Sequence, residues 1–175
     1  ADELPISEPV EYRYQTPSAK LGEGFFSRYG VGDPYGAGIP YPIFLALQAL
    51  YPKRLGRDWH EFSLKFGTIS NQQRPTDATA LPVGFHLTTD PLTTVDYLMV
   101  NCQLCHAELV RLPDKVRLVS GLGNKRLQLH AYDAALVHIG RDSKLTVDRL
   151  LATTEAVATK RQLSWTSEYR RVSKR

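Results

Sequence analysis

The chain has 175 residues, a net charge of +4 and a hydrophobic fraction of 42%. This length and apolar content suit one compact domain with its own core, which excludes a disordered chain and a fold that depends on disulfides. No apolar stretch is long enough to cross a membrane, so we predict no membrane span.

Residues 1–40 are rich in proline, glycine, tyrosine and serine, with closely spaced turn signals. This composition predicts an irregular arm. We therefore divide the chain into an arm, residues 1–40, and a folded domain, residues 41–175. A long irregular segment of this kind either packs against the body of a protein or wraps a ligand.

Two helices are predicted directly after the arm. Pro42 begins an apolar run, and proline favours the first helical position because its missing N–H would have had no partner there. Asp58 and Glu61 have the spacing of a capping box, and Gly67 suits the C-terminal cap. The second helix is therefore expected over residues 58–66.

The segment before the two cysteines is predicted to be a further helix. Thr93 and Thr94 follow a proline and could cap it. This helix would run down to His106, so that both cysteines lie near its C-terminal end.

After His106 the apolar period changes. Residues 109–112 and 115–119 predict two short strands around a Pro-Asp turn. Residues 127–139 are apolar at helical spacing, and a last helix is expected over residues 146–163. The predicted fold class is therefore mainly α, with an irregular N-terminal arm and a small β-hairpin.

Five consecutive residues indicate a specific chemistry. Cys102-Gln103-Leu104-Cys105-His106 has the C-x-x-C-H pattern of a c-type haem attachment site. Each cysteine sulfur would form a thioether with a haem vinyl group, and His106 would be the proximal iron ligand. The expected cofactor is one covalent haem c.

A C-x-x-C pair has other interpretations, namely a redox disulfide, half of a zinc site or two buried thiols. A thioredoxin-type motif would need a preceding strand and a βαβ unit, whereas a helix is predicted before Cys102. A structural zinc site usually needs four ligands, and the chain has only two cysteines. Haem attachment is favoured, with a redox pair or an adventitious metal pair as the alternatives.

The function of such a haem depends on the iron ligand opposite His106. Met99, the single methionine, would share a helix with His106 and could not reach the opposite haem face. His130 is the first candidate because it follows a Gly-Leu-Gly-Asn turn, and His138 lies broadly on the same helical face. His86 is a further candidate, and an open or water-filled position is the remaining alternative.

Several segments carry a family pattern: Gly38–Leu47, Pro82–Phe85, Asn101–His106, Val110–Asp114 and Gly121–Asn124. Together they resemble the N-terminal haem region of the rubber oxygenases, which belong with the di-haem cytochrome c peroxidase relatives. The resemblance implies a cytochrome c-like domain in which Cys102, Cys105 and His106 hold the haem that binds oxygen in rubber oxygenases. The chain differs in having no second C-x-x-C-H motif and a shorter length, so it is either a mono-haem relative or one piece of a longer polypeptide.

The c-type resemblance also implies an exported, periplasmic protein, because this attachment takes place outside the bacterial inner membrane. Ala1 fits a mature chain cleaved after a small-residue site. The basic residues are concentrated toward the C-terminal end, as Lys160, Arg161, Arg170, Arg171, Lys174 and Arg175. This basic end either solvates the surface or docks on an acidic redox partner or a membrane surface, and nucleic acid is not an expected partner of an exported haem protein.

The favoured function is electron transfer through a mono-haem c-type cytochrome whose sixth iron position is filled. The alternative is a haem-dependent peroxidase or oxygenase-like protein, or the N-terminal haem part of one, with an open or displaceable sixth position. A third hypothesis is a haem sensor or assembly subunit whose arm contacts a partner.

Overall fold

The computed structural model describes residues 38–71, 80–114, 116–163 and 165. Most of the predicted arm, residues 1–37, lies outside the described residues, as does the basic end from residue 166 onward. The helices and strands are, in chain order, β1 (Ile39–Pro40), α1 (Tyr41–Leu50), α2 (Pro52–Leu55), α3 (Trp59–Phe66), β2 (Phe85–Thr89), β3 (Asp96–Val100), a 3₁₀ turn (Cys102–Leu104), β4 (Ala107–Arg111), β5 (Val116–Ser120), α4 (Leu129–Gly140) and α5 (Val147–Arg161).

The prediction of a mainly α, cytochrome c-like domain is wrong. Helix accounts for 44% and strand for 19% of the described residues. The strands form two antiparallel sheets, one of three strands in the order β1–β3–β2 and one of two strands, β4–β5. The fold is therefore a mixture of helices and antiparallel sheet.

The main error concerns the residues before Cys102. In place of the predicted helix, Asp96–Val100 form β3, the central strand of the larger sheet. Leu98 stands opposite Ile39 on one side and Leu87 on the other. The three middle residues of β3 are all buried, so its sequence lacks the apolar–polar alternation that would have marked a strand.

The early helices are confirmed together with their end signals. Pro42 lies in the first turn of α1. The Asp58 carboxylate accepts the Glu61 N–H at 2.8 Å at the start of α3, and Gly67 ends that helix in the left-handed conformation with φ 68°. These local signals act within one helical turn, which is why the sequence alone predicts them well.

The elements after the motif are also confirmed. The predicted hairpin is the β4–β5 pair, in which Leu109 stands opposite Leu118. The last two predicted helices correspond to α4 and α5, and the Thr146 hydroxyl accepts the Arg149 N–H at the start of α5. Among the described helices none is long and apolar enough to cross a membrane, as predicted.

The main core is built around aromatic rings contributed by α1, α3, β2 and α4. We call this set the aromatic core, and it consists of Phe44, Trp59, Phe62, Phe66, Phe85 and Tyr132. Phe62 is fully buried at its centre, and its ring centroid lies within 6 Å of those of the other five residues. The packing of these large rings joins three of the helices to β2 of the larger sheet.

Candidate functional site

The cysteine motif lies on a tight turn that follows β3. Cys102–Leu104 form one turn of 3₁₀ helix, and the Asn101 side-chain oxygen accepts the Gln103 N–H at 2.9 Å. The His106 N–H donates to the Cys102 carbonyl at 3.0 Å. An Asn at this position satisfies an otherwise unpaired N–H at the start of the turn. We call residues 102–106 the motif turn.

The motif turn has one side chain that points inward and several that are exposed. Leu104 is 4% exposed and belongs to the main core. Cys102 is half-buried, Cys105 and His106 are exposed, and the two cysteines are free thiols. Burial of Leu104 therefore anchors the turn while the reactive groups stay accessible to another molecule.

Gly84 lets the turn that leads into β2 approach the motif turn closely. Its φ is +92°, and a Cβ at this position would lie 2.3 Å from the Leu104 Cα. The Gly84 carbonyl also accepts the Asn101 N–H at 2.9 Å. A side chain would meet backbone there, so only glycine fits without displacing the motif turn.

The loop after β5 holds the other side of the motif turn. The Gly121 N–H donates to the His106 carbonyl at 2.7 Å, and the Asn124 N–H donates to the Cys105 carbonyl at 2.8 Å. Ser120 accepts a further hydrogen bond from the Gln103 side chain at 3.0 Å. We call residues 121–124 the Gly-Asn loop. It restrains the backbone on which the predicted proximal ligand stands.

Asn124 connects this loop with the rest of the protein. Its side-chain amide donates to the Gly67 carbonyl at 3.2 Å and to the Leu104 carbonyl at 3.4 Å. Its side-chain oxygen accepts the Arg126 N–H at 3.1 Å. One polar side chain thus joins the end of α3, the motif turn and the approach to α4. The sequence predicted a turn at this position but not this bridging role, because the bonded carbonyls are distant in sequence.

The candidate distal histidines lie in different surroundings. His130 and His138 are both exposed on α4, near its two ends, and the structure does not bring either into hydrogen-bond contact with the motif turn. His86 on β2 is half-buried: its Nε2 lies 3.2 Å from the Thr88 hydroxyl, and its Nδ1 is buried without a partner. Burial lowers the pKa of His86, so this imidazole favours its neutral form.

Met99 is placed on β3 directly opposite His86, so the expectation that it shares a helix with His106 is wrong. It is 1% exposed and packs with Val95 and Tyr97 in a small cluster separate from the main core. A buried methionine in such a cluster fills space between apolar neighbours.

The alternatives to haem attachment fare differently. A strand precedes Cys102, as a thioredoxin-type motif requires, so the predicted helix no longer counts against that motif. However, such a motif also requires a βαβ unit, and the chain continues from the motif turn into the antiparallel β4–β5 hairpin instead. Within the described ranges no three Cys, His, Asp or Glu side chains lie close enough together to hold a metal ion. This arrangement gives no support to a zinc site.

The donor groups of the motif turn are those that a covalent haem requires. Two free thiols and an exposed imidazole stand within one turn, and thioether formation does not require these groups to converge on one point. In the adjoining Gly-Asn loop Leu122 is 45% exposed, so an apolar side chain lies at the surface beside the turn.

Comparison with known proteins adds no further assignment: no protein-family model, curated protein or solved structure matches this chain. The chemistry of the motif turn therefore supplies the functional argument.

Proposed function

We propose that this chain carries one covalent haem c and transfers electrons as an exported mono-haem protein. The observation that carries the proposal is the motif turn itself, where Cys102, Cys105 and His106 stand together on a turn anchored by buried Leu104. The C-x-x-C-H pattern assigns a role to each of these three residues within five positions.

The cysteines and the histidine of the motif turn have different roles in binding the haem. The Cys102 and Cys105 thiols would hold the haem through thioether bonds, and the imidazole of His106 would be the proximal iron ligand. The attached group would supply one-electron iron chemistry. The Gly121 N–H and the Asn124 N–H donate to the backbone carbonyls of His106 and Cys105, which restrains the backbone on which the proximal side chain stands.

Exposure of the motif turn supports electron transfer. Cys105 and His106 are exposed, so a haem bound to them would have an edge near the surface, where a partner protein can approach. Lys125 and Arg126 are exposed beside the Gly-Asn loop, and positive charge there favours the approach of an acidic redox partner.

The first experiment tests haem attachment. The full chain is produced in a host with a c-type maturation system, and haem bound after denaturation is measured by mass and by the pyridine haemochrome spectrum. We expect one covalent haem in the wild type and none in the Cys102→Ala/Cys105→Ala double variant. A wild-type chain of unmodified mass, isolated folded from that host, would contradict the proposal.

The second experiment tests the sixth iron position. A filled position gives a low-spin ferric spectrum and a ferrous form that does not bind carbon monoxide, whereas an open position gives a high-spin spectrum and binds carbon monoxide. The low-spin result supports electron transfer, and the high-spin result supports the peroxidase or oxygenase-like alternative. The same spectra of His130→Ala, His138→Ala and His86→Ala identify the ligand, since only loss of the ligand changes the spin state.

A further inference from the structure

The β4–β5 hairpin presents two different faces beside the motif turn. Side chains alternate along each strand, so residues that stand opposite one another share a face. One face carries the pair Leu109 and Leu118, together with Arg111. The other face carries two cross-strand pairs, Val110 with Arg117 and Glu108 with Val119. We call the second the Arg117 face.

Among the residues that the structure describes, the Arg117 side chain has no hydrogen-bond partner. The residue is half-buried, and its Nε atom is buried without an acceptor. A buried donor without a partner destabilises a protein, and more so when the group is charged. An arginine side chain carries a positive charge on a planar fork of N–H groups that matches a carboxylate. An anion is therefore the group that would complete this site.

The one carboxylate on the Arg117 face is already engaged elsewhere. Glu108 accepts the Leu109 N–H at 3.0 Å through one oxygen and the Lys125 N–H at 3.1 Å through the other. These contacts hold the Glu108 carboxylate at the motif end of the hairpin, whereas Arg117 lies nearer the Pro-Asp turn. An anion for Arg117 must therefore come from a group other than Glu108.

The spacing between Arg117 and the motif turn suits an attached haem. β4 begins at the residue after His106, and Val110, the partner of Arg117, lies four residues beyond His106. At about 3.4 Å per strand residue, this corresponds to roughly 14 Å along the hairpin. Val119 lies nearer the motif turn and Val110 lies beside Arg117, and both are half-buried on the Arg117 face, so this face has an apolar side chain at each level.

We propose that Arg117 binds a propionate carboxylate of the haem attached to Cys102 and Cys105, with the ring edge along Val110 and Val119. The proposal rests on the proposed function. Haem carries its two carboxylates at the edge remote from its vinyl groups, so attachment at the motif turn directs them away from the cysteines. The guanidinium then gains the acceptor that its buried Nε lacks.

This pairing has consequences for the iron. A fixed positive charge near the haem stabilises the reduced form, because reduction removes one positive charge from the iron. It also keeps the propionate ionised, since a neighbouring guanidinium lowers the pKa of a carboxyl group. The charged groups on this face of the hairpin are Glu108 and Arg117, and Lys125 lies beside Glu108.

The test measures the reduction potential of the haem protein against pH. In Arg117→Gln we expect a lower potential than in the wild type, by about a tenfold change in the ratio of reduced to oxidised protein, or 59 mV for one electron. Between about pH 4 and about pH 6, where an unpaired carboxyl group titrates, the potential of Arg117→Gln should also fall more with rising pH than that of the wild type. The propionate paired with Arg117 stays ionised in the wild type, and the second propionate contributes equally to both proteins.

Two further variants give the test its controls. Arg111→Gln removes an exposed arginine from the opposite face of the same hairpin and should leave the profile as in the wild type. Arg117→Lys keeps the charge and should restore the potential and the pH profile of the wild type.

The possible failures are separable. A haem-bearing Arg117→Gln variant with the potential and the profile of the wild type overturns the inference alone. Where Arg117→Gln does not fold, a wild type in which two carboxyl groups rather than one titrate over this pH range overturns it. Equal profiles for Arg117→Gln and Arg111→Gln also overturn it. A wild type without covalent haem overturns both this inference and the proposed function.

Discussion

In the aromatic core, side chains pack ring against ring, whereas around the motif turn the backbone carbonyls are held by hydrogen bonds. Phe62 contacts five other aromatic rings and is fully buried. The motif turn has a single buried anchor, Leu104, and otherwise depends on Asn101, Gly121 and Asn124 for its shape. Stability and site geometry therefore rest on different residues, and substitutions should affect them separately.

The largest loss of stability is expected from Phe62→Ala. Removing this ring leaves a cavity among five aromatic neighbours, so we expect the free energy of unfolding to fall by about 3–5 kcal/mol in urea denaturation. Leu64→Ala is the matched control on the same helix. Leu64 is 73% exposed, and its truncation should change stability by less than about 0.5 kcal/mol. Equal losses in the two variants would contradict the assignment of Phe62 to the centre of the core.

The second largest loss of stability is expected from Gly84→Ala, where the turn before β2 contacts the motif turn. A methyl group there would lie 2.3 Å from the Leu104 Cα, and the φ of +92° is unfavourable for alanine. Backbone strain of this kind costs about 1–3 kcal/mol, and forcing a methyl group into packed backbone costs a similar amount. Thermal unfolding measures the loss. Gly123→Ala is the control, since its added methyl group meets no atom within 4 Å, and a comparable loss in both variants would refute the close approach.

A smaller loss of stability, with a larger effect on the site, is expected from Asn124→Ala. This variant leaves the Gly67 and Leu104 carbonyls without their side-chain donor, at a cost of about 1–3 kcal/mol. Backbone amide exchange at positions 121 and 124, whose N–H groups donate to the His106 and Cys105 carbonyls, should become faster because the Gly-Asn loop is no longer fixed to the body of the protein. Lys125→Ala, at an exposed neighbouring position, should leave this exchange unchanged. Exchange that stays slow in Asn124→Ala would rule out the bridging role.

The smallest change in stability is expected from the protonation of His86 at low pH. Burial lowers its pKa below the ordinary value of 6.5, so the unfolded state binds more protons than the folded state as pH falls below that value. The stability from the neutral imidazole is present above pH 6.5 and is lost as pH decreases through the lowered folded-state pKa. The His86→Gln variant should therefore lose less stability than the wild type on going from about pH 7 to about pH 5. His60→Gln, at an exposed histidine, serves as the control and should follow the wild type.

Elements with local signals could be predicted from the sequence. Asp58 and Gly67 mark the two ends of α3, and the Pro-Asp turn marks the β4–β5 hairpin. Each of these signals acts through neighbours within a few residues. They are therefore visible in the sequence without knowledge of the rest of the fold.

The larger sheet could not be predicted in the same way. β3 is buried in its three middle residues, so its short apolar sequence has neither helical nor strand periodicity. Its conformation is set by pairing with Ile39–Pro40, more than fifty residues earlier, and with β2. Because the sequence predicted a helix where β3 lies, the predicted fold class was mainly α rather than a mixture of helices and antiparallel sheet.

The reactive residues of the candidate site could be predicted from the sequence, but the contacts that position them could not. Cys102, Cys105 and His106 follow from the motif alone, and their role in haem attachment stays a prediction. The contacts of Asn124 with Gly67 and of Gly84 with Leu104 depend on segments brought together by the fold. No periodicity or cap signal encodes such contacts.

The hydrogen bonds between the Gly-Asn loop and the motif turn also bear on the order of folding. They join residues within the short stretch from Cys105 to Asn124, and the β4–β5 hairpin closes that stretch. A hairpin of this size forms in about 1–10 μs, well before contacts that are distant in sequence. The Asn124–Gly67 bond spans 57 residues and must await the assembly of the body of the protein. We therefore expect these local hydrogen bonds to form before Leu104 is buried in the core, and under the proposed function the two cysteines would then lie on a partly ordered turn early in folding.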